Sequence, residues 1–528
     1  MPTIARSLTA IVALAGTACA QLAGTYFINP TFPQTSATFQ SLAAAVNALN
    51  LQGVSGSVEF LIYDDAGPYT EASPFVANNA GGTYGVPSGT GPSTAVLVMA
   101  SWGGTSPTNR VTFRPAAGEH VVIDATGQAC GIFWGGADYV TVKDLEIMGA
   151  AYDGISLYAE SQHGTALDPI IDGCRIHDIG GPAVTIYGNT PPPTNTTVQN
   201  CFLWRCQTMG NGPFGTTGRF GYVCTRRSVG TRILHNTFYV DTLFNNASYG
   251  VLSSQTAAVT EVPYDEVSNN IVVKLAGPLA PLIHLILPSG TQFPVPIVCE
   301  SNCYWDTSGG AFAAYGNPAT AAMTLADWQL GALRDLQSLA ADPMLRDVAA
   351  HDLHLTITAA GPSPCIGAST AGTNVPFDLD GQQRITAIDI GADEFGASQF
   401  SAVGTGCPGT GGLVPTLQLY RWPFLGGELS LGFEHMPANT FGFVFGSLGI
   451  GPVPIPIGGG CNAYLDLGSF VGLGAAIGGP AGTGSVVFQT PASPVFIGFE
   501  LAYQGIVLDA GAPLGLTVTN AIDIVLDF

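Results

Sequence analysis

Leu234-His235-Asn236-Thr237-Phe238-Tyr239 is one of six versions of a single phrase between residues 140 and 306. The others are Val142-Lys143-Asp144-Leu145-Glu146-Ile147, Ile171-Asp172-Gly173-Cys174-Arg175-Ile176, Val198-Gln199-Asn200-Cys201-Phe202-Leu203, Val267-Ser268-Asn269-Asn270-Ile271-Val272 and Glu300-Ser301-Asn302-Cys303-Tyr304-Trp305. With residues 144, 173, 200, 236, 269 and 302 as pivots, the phrase returns every 27 to 36 residues. Repeats of that length stack, because none can bury its apolar face alone. Asp, Gly and Asn at the pivots enter left-handed backbone cheaply. Apolar residues two before the pivot, and one and three after it, break strict alternation once per copy. Two short strands meeting at a sharp bend around one interior produce that slip. Asparagines stacked in such a column can bond to one another.

Another strand opens each unit: Gly131-Ile132-Phe133-Trp134, Gly154-Ile155-Ser156-Leu157, Ala183-Val184-Thr185-Ile186, Gly221-Tyr222-Val223, Gly250-Val251-Leu252 and Leu282-Ile283-His284-Leu285. Three strands per coil, wound on repeatedly, make a parallel β-helix. These phrases resemble those of secreted bacterial right-handed parallel β-helix proteins of the pectin-lyase-like superfamily. The resemblance implies an all-β chain with a right-handed β-helix over residues 57–398. A helix over residues 39–50, with Thr38 as N-cap and Phe39, Leu42, Val46 and Leu49 on one stripe, is expected to lid the first coil within an N-terminal segment 21–56. Residues 79–92 read as a glycine-rich surface loop.

The run Ala341-Asp342-Pro343-Met344-Leu345, Asp352-Leu353-His354-Leu355, Ser363-Pro364-Cys365-Ile366, Asp378-Leu379-Asp380-Gly381 and Asp389-Ile390-Gly391-Ala392-Asp393-Glu394 resembles the terminal coil and seal of bacterial secreted β-helices. It departs from that pattern at Cys365, Gly367 and Asp393. Residues 399–528 hold short alternating runs punctuated by Gly and Pro, which read as a small β-sandwich. Pro454-Ile455-Pro456-Ile457-Gly458-Gly459-Gly460-Cys461 is similar to a phrase of a C-terminal module carried by large secreted bacterial proteins.

Residues 1–20 read as a secretory signal: Arg6, an apolar run from Leu8 to Gly16, then Ala18-Cys19-Ala20. The destination is secreted, extracellular or cell-surface, with no membrane span. Removing Cys19 leaves an even number of cysteines for an oxidising compartment. Cys201 with Cys206, Cys299 with Cys303 and Cys407 with Cys461 are candidate pairs, with connectivity open. Cys174, Cys201 and Cys303 read instead as buried thiols at one equivalent position. Only 10% of residues are charged and the net charge is −22. That composition disfavours nucleic acid and anionic membranes, and mildly disfavours polyanionic substrates. A monomer is expected.

Outward side chains of one strand ladder stack about 4.8 Å apart, a shallow groove suited to a polymer. On the strand that opens each unit, Ile155 and Leu157 point in, so Ser156, Tyr158 and Glu160 point out. Thr185, Tyr187 and Asn189 follow one coil on, and Arg226 and Arg227 lie beyond. Sugars stack on aromatic faces and Arg grips carboxylates, which makes Tyr158, Tyr187 and Asn189 candidate substrate-binding residues. Polysaccharide or a cell-surface glycan is the expected partner. As alternatives, a polysaccharide lyase or glycoside hydrolase would use Glu160, His163, Arg226 and Arg227, and a structural or adhesin protein would use none. A hydrolase needs two carboxylates on one groove, and Glu160 with Asp153 or Asp168 supplies candidates. No metal-ligand set is assigned. Calcium is the one cofactor left open: Asp378-x-Asp380-Gly381 begins like a calcium loop but lacks its closing Glu, and reads better as a turn.

Overall fold

The computed structural model describes residues 21–75, 94–116, 119–159, 164–188, 191–208, 221–243, 250–255, 264–286, 297–316, 320–358, 361–370, 372–384, 388–395, 399–421, 428–479, 482–490, 493, 496 and 499–526. Three mainly parallel sheets, beginning at residues 22, 122 and 73, build the chain up to residue 322, and from residue 111 to 315 the chain visits them in a fixed order. Val140–Lys143, Glu146–Met148 and Asp153–Ala159 make one coil; Ile170–Asp172, Arg175–His177 and Val184–Gly188 make the next. Each strand pairs in register with its equivalents one coil before and after. The fold is a right-handed parallel β-helix of three strands per coil. We call the three sheets one, two and three in that order.

Inward columns are mainly apolar. Val142, Ile171, Val198, Ile233 and Val267 line sheet one, while Ile147, Ile176, Leu203, Phe238 and Val272 line sheet two. Ile155, Leu157, Val184 and Ile186 face inward from sheet three, as the alternation predicts. Sheet one begins ahead of the helix, because Leu22–Ile28 pairs with Val54–Ile62. The helix itself spans Leu42–Gln52, later than expected. Thr38 and Phe39 are drawn into pairing with Phe27 and Ile28. Ser41 is the N-cap, accepting from the amide of Ala44 at 3.0 Å, and Glu71 accepts from Leu42 and Ala43 at 2.8 Å each.

The bend between sheets one and two is a single left-handed residue followed by an inward one. The left-handed column is Asp144, Gly173, Asn200, His235, Asn269 and Ser301, fixed by the register Lys143, Asp172, Gln199, Leu234, Ser268, Glu300. The expected pivots Asn236 and Asn302 therefore lie one residue past the bend, which His235 and Ser301 occupy. Asparagine suits both the left-handed site and the inward site after it, and aligning on residue type merges the two. Cys174 and Cys201 share the inward column with Asn236, Asn270 and Asn302. Cys303 does not: it pairs with Ile271 on sheet two.

Down that column runs a buried amide ladder. Asn236 donates to Asn270 at 3.0 Å, Asn270 to Asn302 at 3.1 Å, and Asn302 to Asp335 at 2.8 Å. Each side-chain oxygen also accepts the backbone amide one coil back, from Cys201, Asn236 and Asn270 in turn. Buried polar groups persist only when paired in this way. Asp335 ends the ladder, accepting also from Trp328 Nε1 at 2.8 Å and Ser338 at 2.6 Å. With helix Leu325–Ala332, whose Trp328 is fully buried, these residues seal the last coil.

Residues 340–395 do not continue that seal. They form a strap that folds back along the outside of the bend toward earlier coils. Thr370 meets Ser301, Ser369 meets Asn269, Thr373 meets His235, the Phe377 carbonyl accepts from Asn200, and Asp380 reaches Arg175. The chain then returns, with Arg384 on Asn200 and Gly391 on Asn269. Leu353, Leu379 and Ala392 pack on Phe202 and Trp204, so the strap buries the outer face of sheet two. Asp378 is a turn residue, accepting from the amides of Asp380, Gln382 and Glu394.

Beyond residue 399 lie further small antiparallel sheets. A five-stranded and a three-stranded sheet share one core, with Leu429, Leu431 and Phe433 from one and Val444, Val507, Ile522 and Ile524 from the other. Ile450–Gly458 and Cys461–Leu465 pair as a hairpin. Of the candidate disulfides, Cys407–Cys461 forms. Cys201, Cys206, Cys299 and Cys303 are buried thiols. Cys201 and Cys206 flank the extended strand Phe202–Trp204, roughly 10 Å long, beyond a disulfide's reach. Cys299 faces inward from sheet one while Cys303 lies on sheet two.

Candidate functional site

Sheet three presents the anticipated outward row. Phe75 stacks on Phe133 (4.0 Å between centroids), Phe133 lies 6.4 Å from Tyr158, Tyr158 stacks on Tyr187 (5.0 Å), and Arg226 sits 5.6 Å over the Tyr187 ring. Tyr158, Tyr187 and Arg226 are thus neighbours in space. Yet Tyr158 is 1% and Tyr187 6% exposed, so neither ring offers an open face. Arg227 takes left-handed backbone where the strand ends. Glu160, His163 and Asn189 lie outside the described residues. Of the possible carboxylate partners, Asp153 is fully buried, accepts from Thr185 at 3.0 Å and is pushed up to about 7 by burial. Asp168 is bound instead to Arg110, beside sheet one.

Sheet one carries neighbouring charge pairs: Arg114 with Glu59 (2.6 Å), Arg110 with Asp168, and Lys143 with Asp172 (3.0 Å). Its partly exposed aromatics gather at the first coils, where Phe27 lies 6.3 Å and Phe32 5.3 Å from Tyr63.

Ionisable and aromatic groups converge at the edge of the strap, where sheet two emerges from beneath it. Glu146 and His177 project from sheet two in adjacent coils; Asp178, Arg205 and Asp241 turn the chain out of that sheet in three successive coils. His177 is held between two carboxylates, Nε2 at 3.1 Å from Glu146 and Nδ1 at 2.7 Å from Asp178. Glu146 also binds His120 at 2.9 Å. Arg205 pairs with Asp178 at 2.5 Å and donates its backbone amide to Asp241 at 3.2 Å. Trp204 stacks on His177 at 4.2 Å, and the strap's His351 closes over its other face at 5.5 Å, with Asp241 3.9 Å from that imidazole. Glu146, Asp178, Asp241 and His351 are half-buried; His120 and Arg205 are exposed.

The carboxylates here are driven apart. The hydrogen bond from His177 holds Glu146 below the usual carboxylate range, whereas burial raises Asp241. At the strap's far side, Arg175 meets Asp380 at 3.3 Å, and His354 lies between Asp380 (2.7 Å) and Asp352. Burial alone would lower His354, but those carboxylates, with Asp393, raise it to about 9. Among the described residues, His354, Asp380 and Asp393 are one of two groups whose ligand atoms lie within 4.8 Å of one another; Asp64, Asp65 and Glu119 are the other. In the first, both imidazole nitrogens are already engaged by carboxylates, and Asp393 accepts the Leu355 amide at 2.7 Å. In the second, Asp65 accepts from Asn29 and Glu119 from the Asp64 amide.

The convergence was missed from sequence because its members come from four coils and a strap far along the chain. Only Arg175-Ile176-His177 hinted at it, by setting a cation and an imidazole on one outward face.

Residues 130–276 match the family described as "Right handed beta helix region". Among solved structures, the chain is similar to full-length tailspike protein 2 from Escherichia coli O157:H7 bacteriophage CAB120, at 9% identity and a TM-score of 0.24. That alignment covers 89% of this chain and 59% of the tailspike. The enzymatically active domain of bacteriophage CBA120 tailspike protein 2 aligns at 8% identity and a TM-score of 0.18, covering 82% of this chain and 64% of the other. The chain thus spans about three fifths of the length of these structures. No curated protein matches it. No helix among the described residues is long and apolar enough to cross a membrane.

Proposed function

We propose that the protein is an extracellular or cell-surface β-helix protein that binds a polysaccharide along the lane of polar side chains at the strap's edge. The observation that carries this reading is the convergence of Glu146, His177, Asp178, Arg205, Asp241 and His351 around Trp204. Paired carboxylates accept from vicinal hydroxyls, Arg205 donates to ring and glycosidic oxygens, and the exposed His120 and half-buried His351 offer ring faces. The net charge of −22 directs the choice to a neutral rather than polyanionic glycan. The groove is therefore assigned to sheet two and the strap, away from the closed aromatic row on sheet three.

Hydrolysis is the second reading, favoured by one observation: Asp178 and Asp241 both engage Arg205, from coils two turns and so roughly 10 Å apart, near the spacing of a carboxylate pair that flanks a glycosidic bond. A glycan array probed with the full chain, with reducing ends and unsaturated products assayed in parallel, decides between the readings. Retention of neutral glycans without product supports binding. Reducing-end release supports hydrolysis. Failure to retain any neutral glycan overturns both.

A further inference from the structure

Two buried thiols meet where the strap rejoins the last full coil. Cys303 lies on sheet two in Cys303–Asp306, and Cys365 lies in the strap; both are completely buried in one apolar cluster with Ile271, Val273, Leu355 and Ile390. Within that cluster the neighbouring Cys303 thiol, together with burial, pushes the Cys365 thiol well above its ordinary range. Their backbones are fixed by other bonds. The Cys303 thiol points at the Ala341 carbonyl at 3.3 Å, the Cys365 amide donates to Ser363 at 3.2 Å, and the Cys365 carbonyl accepts from Ile390 at 3.0 Å. Elsewhere the chain already carries one disulfide, Cys407–Cys461, which belongs to an oxidising environment.

We propose that Cys303 and Cys365 form a second disulfide, which staples the strap to the β-helix. Each thiol gives up its proton, and together they surrender two electrons to a disulfide of the exchange class. The S–S bond of that oxidant breaks, and it leaves as two thiols. Because the folded cluster excludes solvent, the bond forms while the strap is still docking. Closure would hold His351 over Trp204 and Asp380 beside Arg175, and so keep the polar lane in shape. The inference does not depend on what that lane binds.

The test is peptide mapping of the full chain, produced under oxidising conditions and selected for a formed Cys407–Cys461 bridge. The protein is denatured without reductant and alkylated with iodoacetamide, then reduced and labelled with N-ethylmaleimide. The proposal expects Cys303 and Cys365 to carry the second label, as Cys407 and Cys461 do, with Cys130, Cys174, Cys201, Cys206, Cys224 and Cys299 carrying the first. Iodoacetamide on Cys303 and Cys365 overturns it. So does a bridge from either residue to any other cysteine. The mapping uses the wild-type chain, so no variant has to fold.

Discussion

Replacing Asn270 by Ala removes the centre of the buried ladder. The Asn270 side chain donates to the carbonyls of Ile233 and Ser268 and to Asn302, and accepts from both the backbone and the side chain of Asn236. An alanine leaves at least two of those buried groups, the Asn236 amide and the Ile233 carbonyl, without this partner. At about 1–3 kcal/mol for each orphaned group, the variant loses roughly 2–6 kcal/mol of stability. The matched control is Cys174→Ala in the same inward column, where no amide ladder runs and only a thiol is lost; about 1 kcal/mol is expected there, in the range of ordinary substitutions. Urea unfolding followed by far-ultraviolet circular dichroism reads both. If Asn270→Ala unfolds at the same urea concentration as Cys174→Ala, the ladder contributes no more than generic packing and the reasoning fails.

Three further outcomes follow from the same geometry. His354 is raised from 6.5 to about 9 in the fold, so its stabilisation is complete below about pH 6.5 and is lost as pH rises through about 9; His354→Gln should flatten that alkaline limb of the melting temperature, and an unchanged limb contradicts it. Asp378 is pushed up to about 7 by burial, so it disfavours the fold as pH rises from about 4 to 7; Asp378→Asn should remove that slope while keeping the turn. At Gly154, an added Cβ would lie 2.6 Å from the Ala183 carbonyl and 2.7 Å from an Ile176 methyl, so Gly154→Ala should cost about 1–3 kcal/mol in the same urea assay.

Sequence made the coil legible because its constraints are local. Alternation, a bend residue and a returning apolar column are all written within one repeat, and Ile155, Leu157 and their equivalents point inward as read. The exact height of each bend was less legible, since His235 and Ser301 occupy left-handed backbone that residue preference assigns to the asparagines beside them. The strap's course was not legible at all. Its docking rests on single contacts such as Thr373 with His235 and Asp380 with Arg175, which no periodicity announces. For the same reason the candidate site moved from one ladder to another. Tyr158 and Tyr187 do lie in one outward row, but whether a row is open depends on what packs over it, and alternation says nothing of that.

Of all measurements, calorimetric titration of a retained neutral glycan into the wild type and into the Asp178→Asn/Arg205→Gln double variant bears most directly on the assigned lane. Both residues are at least partly exposed, and Asn accepts the left-handed backbone of residue 178, so the variant should fold as the wild type does. With two hydroxyl-binding groups altered, at about 1 kcal/mol or more apiece, affinity should fall at least tenfold while the melting temperature stays put. Equal affinity in the two proteins would place the glycan elsewhere and contradict the lane.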